Sequence, residues 1–360
     1  MGVKVAGGRS FEHAGDPGGP KDEPGVSLAS TSDLERLLCS RWDSLVKVDQ
    51  PLVLISQVQR SGGTLVNMLF DGHPELHVYP YELRGGRSSV EKSRWPVLDM
   101  SATPDEWHEQ ICTPVLADQF RNGYLKKLPA TQGLDELVPL PFTVMPTMVE
   151  GLFRRLCGLR PPRSEREVLN HHMTALFNAW LDNQGLRERP KRWVTGLTPR
   201  AAWGESRDQF FAAYPDGRLV ACLRDPRAWW ASASHFWSRY GDFDATFPLW
   251  ERGAAEMAAA KRERPAQVFL LTYEALVTDP ERVMRTLAAW LGIAWIPQLL
   301  CPTFNRLPTV PNSSFAMSKT GIRTESVERW RDVLDRRVVR TVERRALALH
   351  EQVRAQADVA

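Results

Sequence analysis

The chain has 360 residues, 43% hydrophobic and 25% charged, a composition that excludes disordered and fibrous proteins and allows one large or two modest globular domains. Lys and Arg number 46 against 43 Asp and Glu, a formal charge of +3, too balanced for a protein that coats nucleic acid but compatible with a local anion site. Nine of the 46 cations are Lys and 37 are Arg, whose planar forks suit phosphate and carboxylate. The five cysteines, Cys39, Cys112, Cys157, Cys222 and Cys301, are scattered and include no Cys-x-x-Cys pair. Neither a disulfide framework nor a thiolate zinc site is therefore expected, and a reducing compartment fits. No apolar run reaches the ~18 residues of a membrane span, and no basic-then-apolar start marks secretion. A cytoplasmic protein without membrane or nucleic-acid partners is expected; the sequence carries no sign of an oligomeric state.

Residues 1–31, rich in Gly, Pro, Asp and Lys, are predicted to be a disordered leader, with the folded domain spanning 32–360. Ser32-Asp33 ahead of Leu34, Leu37 and Leu38 predicts an N-cap followed by a helix. Pro51-Leu-Val-Leu-Ile-Ser56 is a continuous apolar run of the kind buried in a parallel sheet. Arg192–Thr195, Arg218–Leu223 and Gln267–Thr272 are further strand candidates. Between and after them, Gly62–Phe70, Pro226–Trp237, Ala245–Arg264 and Pro280–Leu291 carry apolar residues at helical spacing. The alternation predicts an α/β fold, an open parallel sheet flanked by helices with right-handed crossovers. Residues from about 85 to 170 break the pattern with Trp95, Trp107 and the turn Arg160-Pro-Pro-Arg163, and predict a largely helical insertion. From about Glu325 to Val353, the positions of Val327, Trp330, Leu334, Val338, Val339 and Val342 predict one amphipathic helix.

The first strand runs directly into Gln57-Val-Gln-Arg60-Ser61-Gly62-Gly63-Thr64 and then a helix. Two adjacent glycines at such a junction let the backbone turn tightly and present consecutive N–H groups at the positive end of the helix dipole. Arg60, Ser61 and Thr64 add a cation and two hydroxyls. An anion site is the functional reading; the alternative is that the glycines and hydroxyls act only as turn and cap residues. A nucleoside-triphosphate loop is excluded, because Gly-x-x-x-x-Gly-Lys-Ser/Thr is absent and no Gly-Lys dipeptide occurs.

A second feature is Leu223-Arg224-Asp225-Pro226-Arg227, with Ser232 eight positions after Arg224. Asp225 and Pro226 read as N-cap and first helical residue, which places Arg224 at the carboxyl edge of the sheet where ligands of open α/β folds bind. Taken singly, Arg224 also suits a surface ion pair and Ser232 a back-bonded helical serine.

Arg60-Ser-Gly-Gly-Thr64 after a strand, Arg224-Asp-Pro with Ser232, and Leu271-Thr-Tyr273-Glu274-Ala-Leu-Val277 before a Pro280 helix resemble, in that order, the sulfotransferases that use 3′-phosphoadenosine-5′-phosphosulfate (PAPS). The resemblance spans roughly Pro51 to Leu334 with a gap over the insertion. It implies a P-loop-like sheet on which Arg60, the Gly62, Gly63 and Thr64 backbone and the Ser61 and Thr64 hydroxyls hold the 5′-phosphosulfate. It implies further that Arg224 and Ser232 hold the 3′-phosphate and that Tyr273 contacts the nucleotide, although a core tyrosine at a strand end is the alternative. Pro311–Phe315 through Lys319, Gly321 and Arg323 resembles the family's loop over the donor, which makes Ser313, Lys319 and Arg323 candidates for further phosphate contacts; a solvated polar loop is the alternative. No metal is expected to be required.

Several branches of the family place their catalytic carboxylate where Glu82 falls, so Glu82 is the candidate general base and Arg60 the candidate cation for the departing phosphate. The alternatives are a Glu82 carboxylate paired with Arg84 or Arg87, and a histidine base, for which His73 and His77 are available. One departure is Leu197, where many relatives have a lysine; Arg200 or Lys319 could substitute, or the chain could be a non-catalytic binder of 3′,5′-ADP. A small-molecule kinase is disfavoured by the missing Gly-Lys. The acceptor is expected to be a small-molecule or carbohydrate hydroxyl, contacted by the insertion from about Gly85 to Asn170, including Arg154-Arg155.

Overall fold

Runs of apolar residues too short for a helix are stable only when both faces of the strand are covered, and the chain meets that condition with one parallel sheet. The computed structural model describes residues 31–86, 94–113, 116–117, 142–236, 241–309, 313, 315 and 320–360. They divide into a unit ending at Ser40 and a unit from Arg41 to Ala360. The described part of the first is the start of helix α1 (Thr31–Asp43), in which Arg36 pairs with Asp33. Ser32 and Asp33 are thus inside the helix rather than at its cap; the expected leader, apart from Thr31, lies outside the described residues.

In the second unit, β1 (Leu52–Gln57), β2 (Leu76–Glu82), β3 (Trp193–Leu197), β4 (Arg218–Leu223) and β5 (Val268–Thr272) form a five-stranded sheet in the order β2-β3-β1-β4-β5, all neighbours parallel. β1 and β5 are buried along their whole length, as a sheet covered on both faces requires. Four of the strands match the expected segments within a residue or two at each end. The remaining one lies within His73–Glu82, a segment not among the expected strands. That segment itself contains the strand, and no strand separates it from α2 (Gly63–Phe70).

β2 is an edge strand, and Pro80 sits inside it, tolerable because its missing N–H interrupts no central ladder. Val78 pairs with Thr195 and Glu82 with Leu197. Four steps on β2 are therefore taken against two on β3, a bulge that carries Glu82 to the end of the sheet. On the opposite edge, residue 359 lies parallel to β5, with the Thr272 N–H donating to the Val359 carbonyl at 3.1 Å and the Leu270 N–H to Asp358 Oδ2 at 2.8 Å.

One face of the sheet, with Val53, Ile55, Val220, Cys222, Phe269 and Leu271, packs against α2 and against helices at Tyr273–Thr278 and Pro280–Leu291. On the way to them the chain forms α3 (Pro104–Ile111), α4 (Pro146–Leu159), α5 (Glu165–Ala179), α6 (Gly204–Ala213), α7 (Pro226–Phe236), α8 (Phe243–Thr246) and α9 (Pro248–Glu263), so the last two become α10 and α11. A two-residue turn joins β6 (Thr303–Phe304) to β7 (Leu307–Pro308). Asn305 and Arg306 there have φ of 49° and 67°, the twist a tight hairpin demands.

The insertion contains α3, α4 and α5. Its last helix runs to Ala179, past the expected boundary near 170, because Met173, Leu176 and Phe177 continue the buried face. Arg154 pairs with Asp105 and Glu150, and Arg155 stacks on Trp42. The tail is not one helix. It breaks between α12 (Trp330–Val333) and α13 (Arg336–Arg354), because Leu334 is extended and the Asp335 carboxylate caps the Arg337 N–H at 2.6 Å. α13 packs on α7 and α9, and α9 on β4 and β5, which covers the second face. Among the described residues no helix is long and apolar enough to cross a membrane.

Gly253 in α9 faces Val58, the first residue after β1, so closely that a side chain there would run into Val58 Cγ2. Gly253→Val should cost about 1–3 kcal/mol through overpacking, read as a lower denaturation midpoint with an unchanged m-value.

Candidate active site

The segment Val58–Gly62 turns β1 into α2 at the carboxyl edge of the sheet. Gly62 has φ of 99° and Arg60 a φ of 76°, the left-handed region that only Gly enters freely. Three consecutive carbonyls of this turn are fastened from the β4 side. The Trp229 indole donates to Gln59 O at 2.8 Å, Arg224 to Arg60 O at 2.7 Å and the Cys222 thiol to Ser61 O at 2.9 Å. Across a trans peptide the N–H points opposite to its carbonyl, so the Gly62 N–H faces away from β4. The Gly63 N–H, in contrast, donates to Gln57 Oε1 at 2.6 Å. Side chains of Leu197 and Gln57 lie against Gly63, and the Tyr273 ring lies against Gly62.

The two predicted arginines meet at this turn. Arg60 Nε lies 3.5 Å from Ser232 Oγ, and its guanidinium sits 4.2 Å from the Phe236 ring centre. Arg224 is buried, stacks 4.4 Å from the Tyr273 ring and donates a second time to Ser326 O at 3.0 Å. The Trp250 indole holds the Arg224 carbonyl at 2.9 Å. Asp225 caps α7 as expected, accepting from the Arg227 N–H at 2.8 Å. The Tyr273 hydroxyl and Ser326 Oγ are 2.6 Å apart.

The structure therefore brings Arg60, Ser61, Gly62, Gly63, Thr64, Arg224, Ser232 and Tyr273 to one edge. Arg323 joins through its carbonyl, which accepts from Ser326 Oγ, while its side chain pairs with Glu325. Ser313 Oγ accepts from the Phe315 N–H, and Phe315 stacks on His235 at the end of α7. Lys319 lies outside the described residues.

Glu82 ends β2, with the following Leu83 N–H bonded to Leu197 O at 2.8 Å. It is two strand spacings from β1, about 10 Å. Its carboxylate pairs with Arg84. Burial holds the Glu82 pKa above the usual carboxylate range, with Arg84 opposing. The histidine alternatives are in the wrong place. Because β2 runs parallel to β1, His73 and His77 sit at the opposite edge from the Arg60 turn, His73 bonded to Ala294 O at 2.8 Å and His77 packed on Phe177. Leu197 is buried against the turn and supplies no charge, and Arg200 is stacked on Trp203.

Gln57, Cys222, Trp229, Trp250 and Ser326 were missed by sequence reasoning; Gln57, a polar residue ending an apolar strand, was the one available signal. Glu274 was quoted within the Tyr273 motif but given no role. It is buried beside Arg224, accepts from the Asp225 N–H at 3.2 Å, and is pushed by burial up to about 7 against the pull of Arg224.

Two observations bear on an anionic ligand. Arg224 Nε is buried without a hydrogen-bond partner among the described residues, and a buried guanidinium N–H calls for an acceptor. The left-handed Gly62 beneath the Tyr273 ring is a cradle that a Cβ would fill. The residues present thus fit a phosphate-bearing group. Among the described residues no three His, Cys, Asp or Glu side chains group as metal ligands.

The sulfotransferase family profile matches residues 143–297, which include the Arg224, Ser232 and Tyr273 segments. Over that segment the chain matches the sulfotransferase family. No curated protein matches it. Among solved structures, it is similar to the sulfotransferase domain of the curacin biosynthetic pathway (15% identity, 88% of this chain and 100% of that one, TM-score 0.47). It is also similar to the sulfotransferase domain of the Synechococcus PCC 7002 olefin synthase (19%, 85% and 95%, 0.47) and a sulfotransferase from Mycobacterium tuberculosis (18%, 73% and 74%, 0.37). The Arg60 turn lies ahead of the profile match and rests on its own geometry.

Gly62→Ala should weaken anion binding and cost about 1–3 kcal/mol, since it adds both left-handed strain and a clash with Tyr273; calorimetry and thermal unfolding read the two effects. Glu274 binds its proton more tightly folded than unfolded, so its contribution to stability is present at low pH and lost as pH rises from 4.5 through about 7. Glu274→Gln should flatten that decline in denaturation measured from pH 5 to 8.

Proposed function

We propose that this sulfotransferase moves the sulfuryl group of PAPS to a hydroxyl of a small molecule or carbohydrate. The observation that carries the reading is the meeting of Arg60, Ser232 and Arg224 on one turn, with Arg224 Nε lacking an acceptor. On this reading Arg224 and Ser232 hold the 3′-phosphate. Arg60, the Ser61 and Thr64 hydroxyls and the turn amides hold the 5′-phosphosulfate, with Gly63 contributing once its N–H leaves Gln57. Tyr273 packs beside the nucleotide and fixes the segment bearing Ser326 and Arg323, and Ser313 is a further candidate for a phosphate contact.

The donor supplies an activated sulfur whose bond to the phosphate oxygen breaks as the acceptor oxygen bonds to it. Glu82 takes the proton of the acceptor hydroxyl. Burial raises its pKa, which makes it a better base than an exposed carboxylate, while the Arg84 guanidinium opposes that rise. Arg60 and the turn N–H groups face the charge that accumulates on the departing phosphate, which is where fixed dipoles accelerate transfer most. No cation from Leu197 assists, so Arg60 bears more of this work than in relatives with a lysine there. That same leucine favours a second reading, a non-catalytic 3′,5′-ADP binder, which transfer of labelled sulfate to a panel of hydroxyl acceptors separates from the first.

Titration calorimetry should find tight binding of 3′,5′-ADP and none of ATP; the reverse result overturns both readings. Arg224→Gln should weaken 3′,5′-ADP binding about 10- to 100-fold by removing charge-assisted hydrogen bonds. Glu82→Gln should abolish turnover and leave that affinity nearly unchanged. In the parent enzyme the rate should fall on acidification through an apparent pKa above 4.5, because the base must be ionised.

A further inference from the structure

Helix α7 is tied down at its start, and that decides where its far end points. Asp225 caps it, the Trp229 indole donates to Gln59 O at 2.8 Å, and Ala228 and Ala231 pack with Trp330 of α12. Trp229, Ser232 and Phe236 follow one another at i, i+3 and i+7, which puts them on one stripe of the helix. That stripe runs along the turn after β1. Beyond the Trp229 contact, Ser232 Oγ lies 3.5 Å from Arg60 Nε, and the Phe236 ring centre lies 4.2 Å from the Arg60 guanidinium carbon. His235, one residue earlier, stacks on Phe315 instead, so the two rings that end α7 face different partners.

The two halves of Arg60 are therefore held differently. Its backbone, at a φ of 76°, is fastened by Arg224 through the carbonyl at 2.7 Å. Its side chain is half-buried and long, and a loose side chain of that kind has to be ordered each time an anion binds. The Ser232 contact lies at the outer limit of a hydrogen bond, and an arriving phosphate competes for the same hydroxyl. The ring has no such second use. A guanidinium over the face of a phenylalanine is attracted by the ring quadrupole, and the ring, unlike a carboxylate, does not cancel the charge it holds. Phe236 thus orders the cation and leaves its charge whole for an anion.

We propose that Phe236 is a positioning residue for Arg60, whose guanidinium its ring holds beside the Ser232 hydroxyl, ready for the 5′-phosphate end of the donor. The inference rests on the reading of Arg60 as the cation for that group, and deepens it by naming the side chain through which α7 sets its position.

The test is calorimetric titration of the full chain with two nucleotides that differ by one group, 3′,5′-ADP and adenosine 3′-phosphate. Arg60→Gln should weaken 3′,5′-ADP binding about tenfold or more, the loss of a charge-assisted contact. Phe236→Leu keeps the apolar bulk and removes the ring face. It should weaken 3′,5′-ADP about 3- to 10-fold and change adenosine 3′-phosphate less than about twofold, whereas Phe236→Tyr stays within about twofold of the parent for both. Added to Arg60→Gln, Phe236→Leu should cost nothing further, because a residue that acts through another has no effect once that other is gone. Unchanged 3′,5′-ADP affinity in Phe236→Leu, equal losses for the two nucleotides, or additive losses in the double variant would overturn the assignment of Phe236 alone. No binding of 3′,5′-ADP, or binding indifferent to Arg60→Gln, would overturn the reading of Arg60 as well. Should Phe236→Leu fail to fold, replacement of Phe236 by 3,4,5-trifluorophenylalanine decides, since it nearly preserves the shape and withdraws electron density from the ring face. The 3′,5′-ADP affinity should then fall as expected for leucine, and an unchanged affinity rejects the assignment.

Discussion

The geometry of the edge that carries the Arg60 turn hangs on a single buried cation. Arg224 leaves the end of β4 and gives one hydrogen bond to the Arg60 carbonyl and one to the Ser326 carbonyl. It thereby joins the first turn of the sheet to a segment more than 260 residues later in the chain. A buried guanidinium is stable only where its hydrogens are met, so both segments are drawn to it and held. The Trp250 indole on the Arg224 carbonyl and the Tyr273 ring against the guanidinium fix the remaining freedom. An anion reaching Arg224 Nε would find the cation already oriented, with little left to order.

Parallel strands give the molecule two chemically different edges. At the carboxyl ends, backbone carbonyls are fastened inward by Trp229, Arg224 and Cys222, and cations and hydroxyls gather. At the amino ends, His73, His77 and an aspartate already bonded to Thr303 and Arg306 line a partly apolar cleft. β2 reaches both, carrying His77 at one end and Glu82 at the other. The four residues between them separate the two kinds of chemistry.

Most of the sheet could be read from the residues, since Leu52–Ile55, Leu219–Leu223 and Val268–Leu271 are apolar runs with no other stable use. The glycines at 62 and 63 and the Asp225-Pro226 helix start likewise declared the positions of Arg60 and Arg224, because turn and cap chemistry is local. What stayed hidden depended on partners distant in sequence. Nothing near Trp229 or Trp250 announces that their indoles bind carbonyls of Gln59 and Arg224. The break at Leu334 was invisible because the apolar spacing of Val327 through Val342 continues across it, whereas Asp335 capping is what stops the helix. His77 and Glu82 looked like near neighbours only because a strand moves the chain about 3.3 Å per residue, a distance that helical or loop reading understates.

The bulge at Pro80 has a consequence beyond where it puts Glu82. An exposed outer strand offers a row of unpaired amides on which a second molecule can extend the sheet. On β2 the proline removes one of those donors and the two extra residues spoil the register, while on β5 residues 358 and 359 already occupy the corresponding groups. The kink that carries Glu82 to the end of the sheet also makes the flank a poor template for growth, so the sheet ends after five strands.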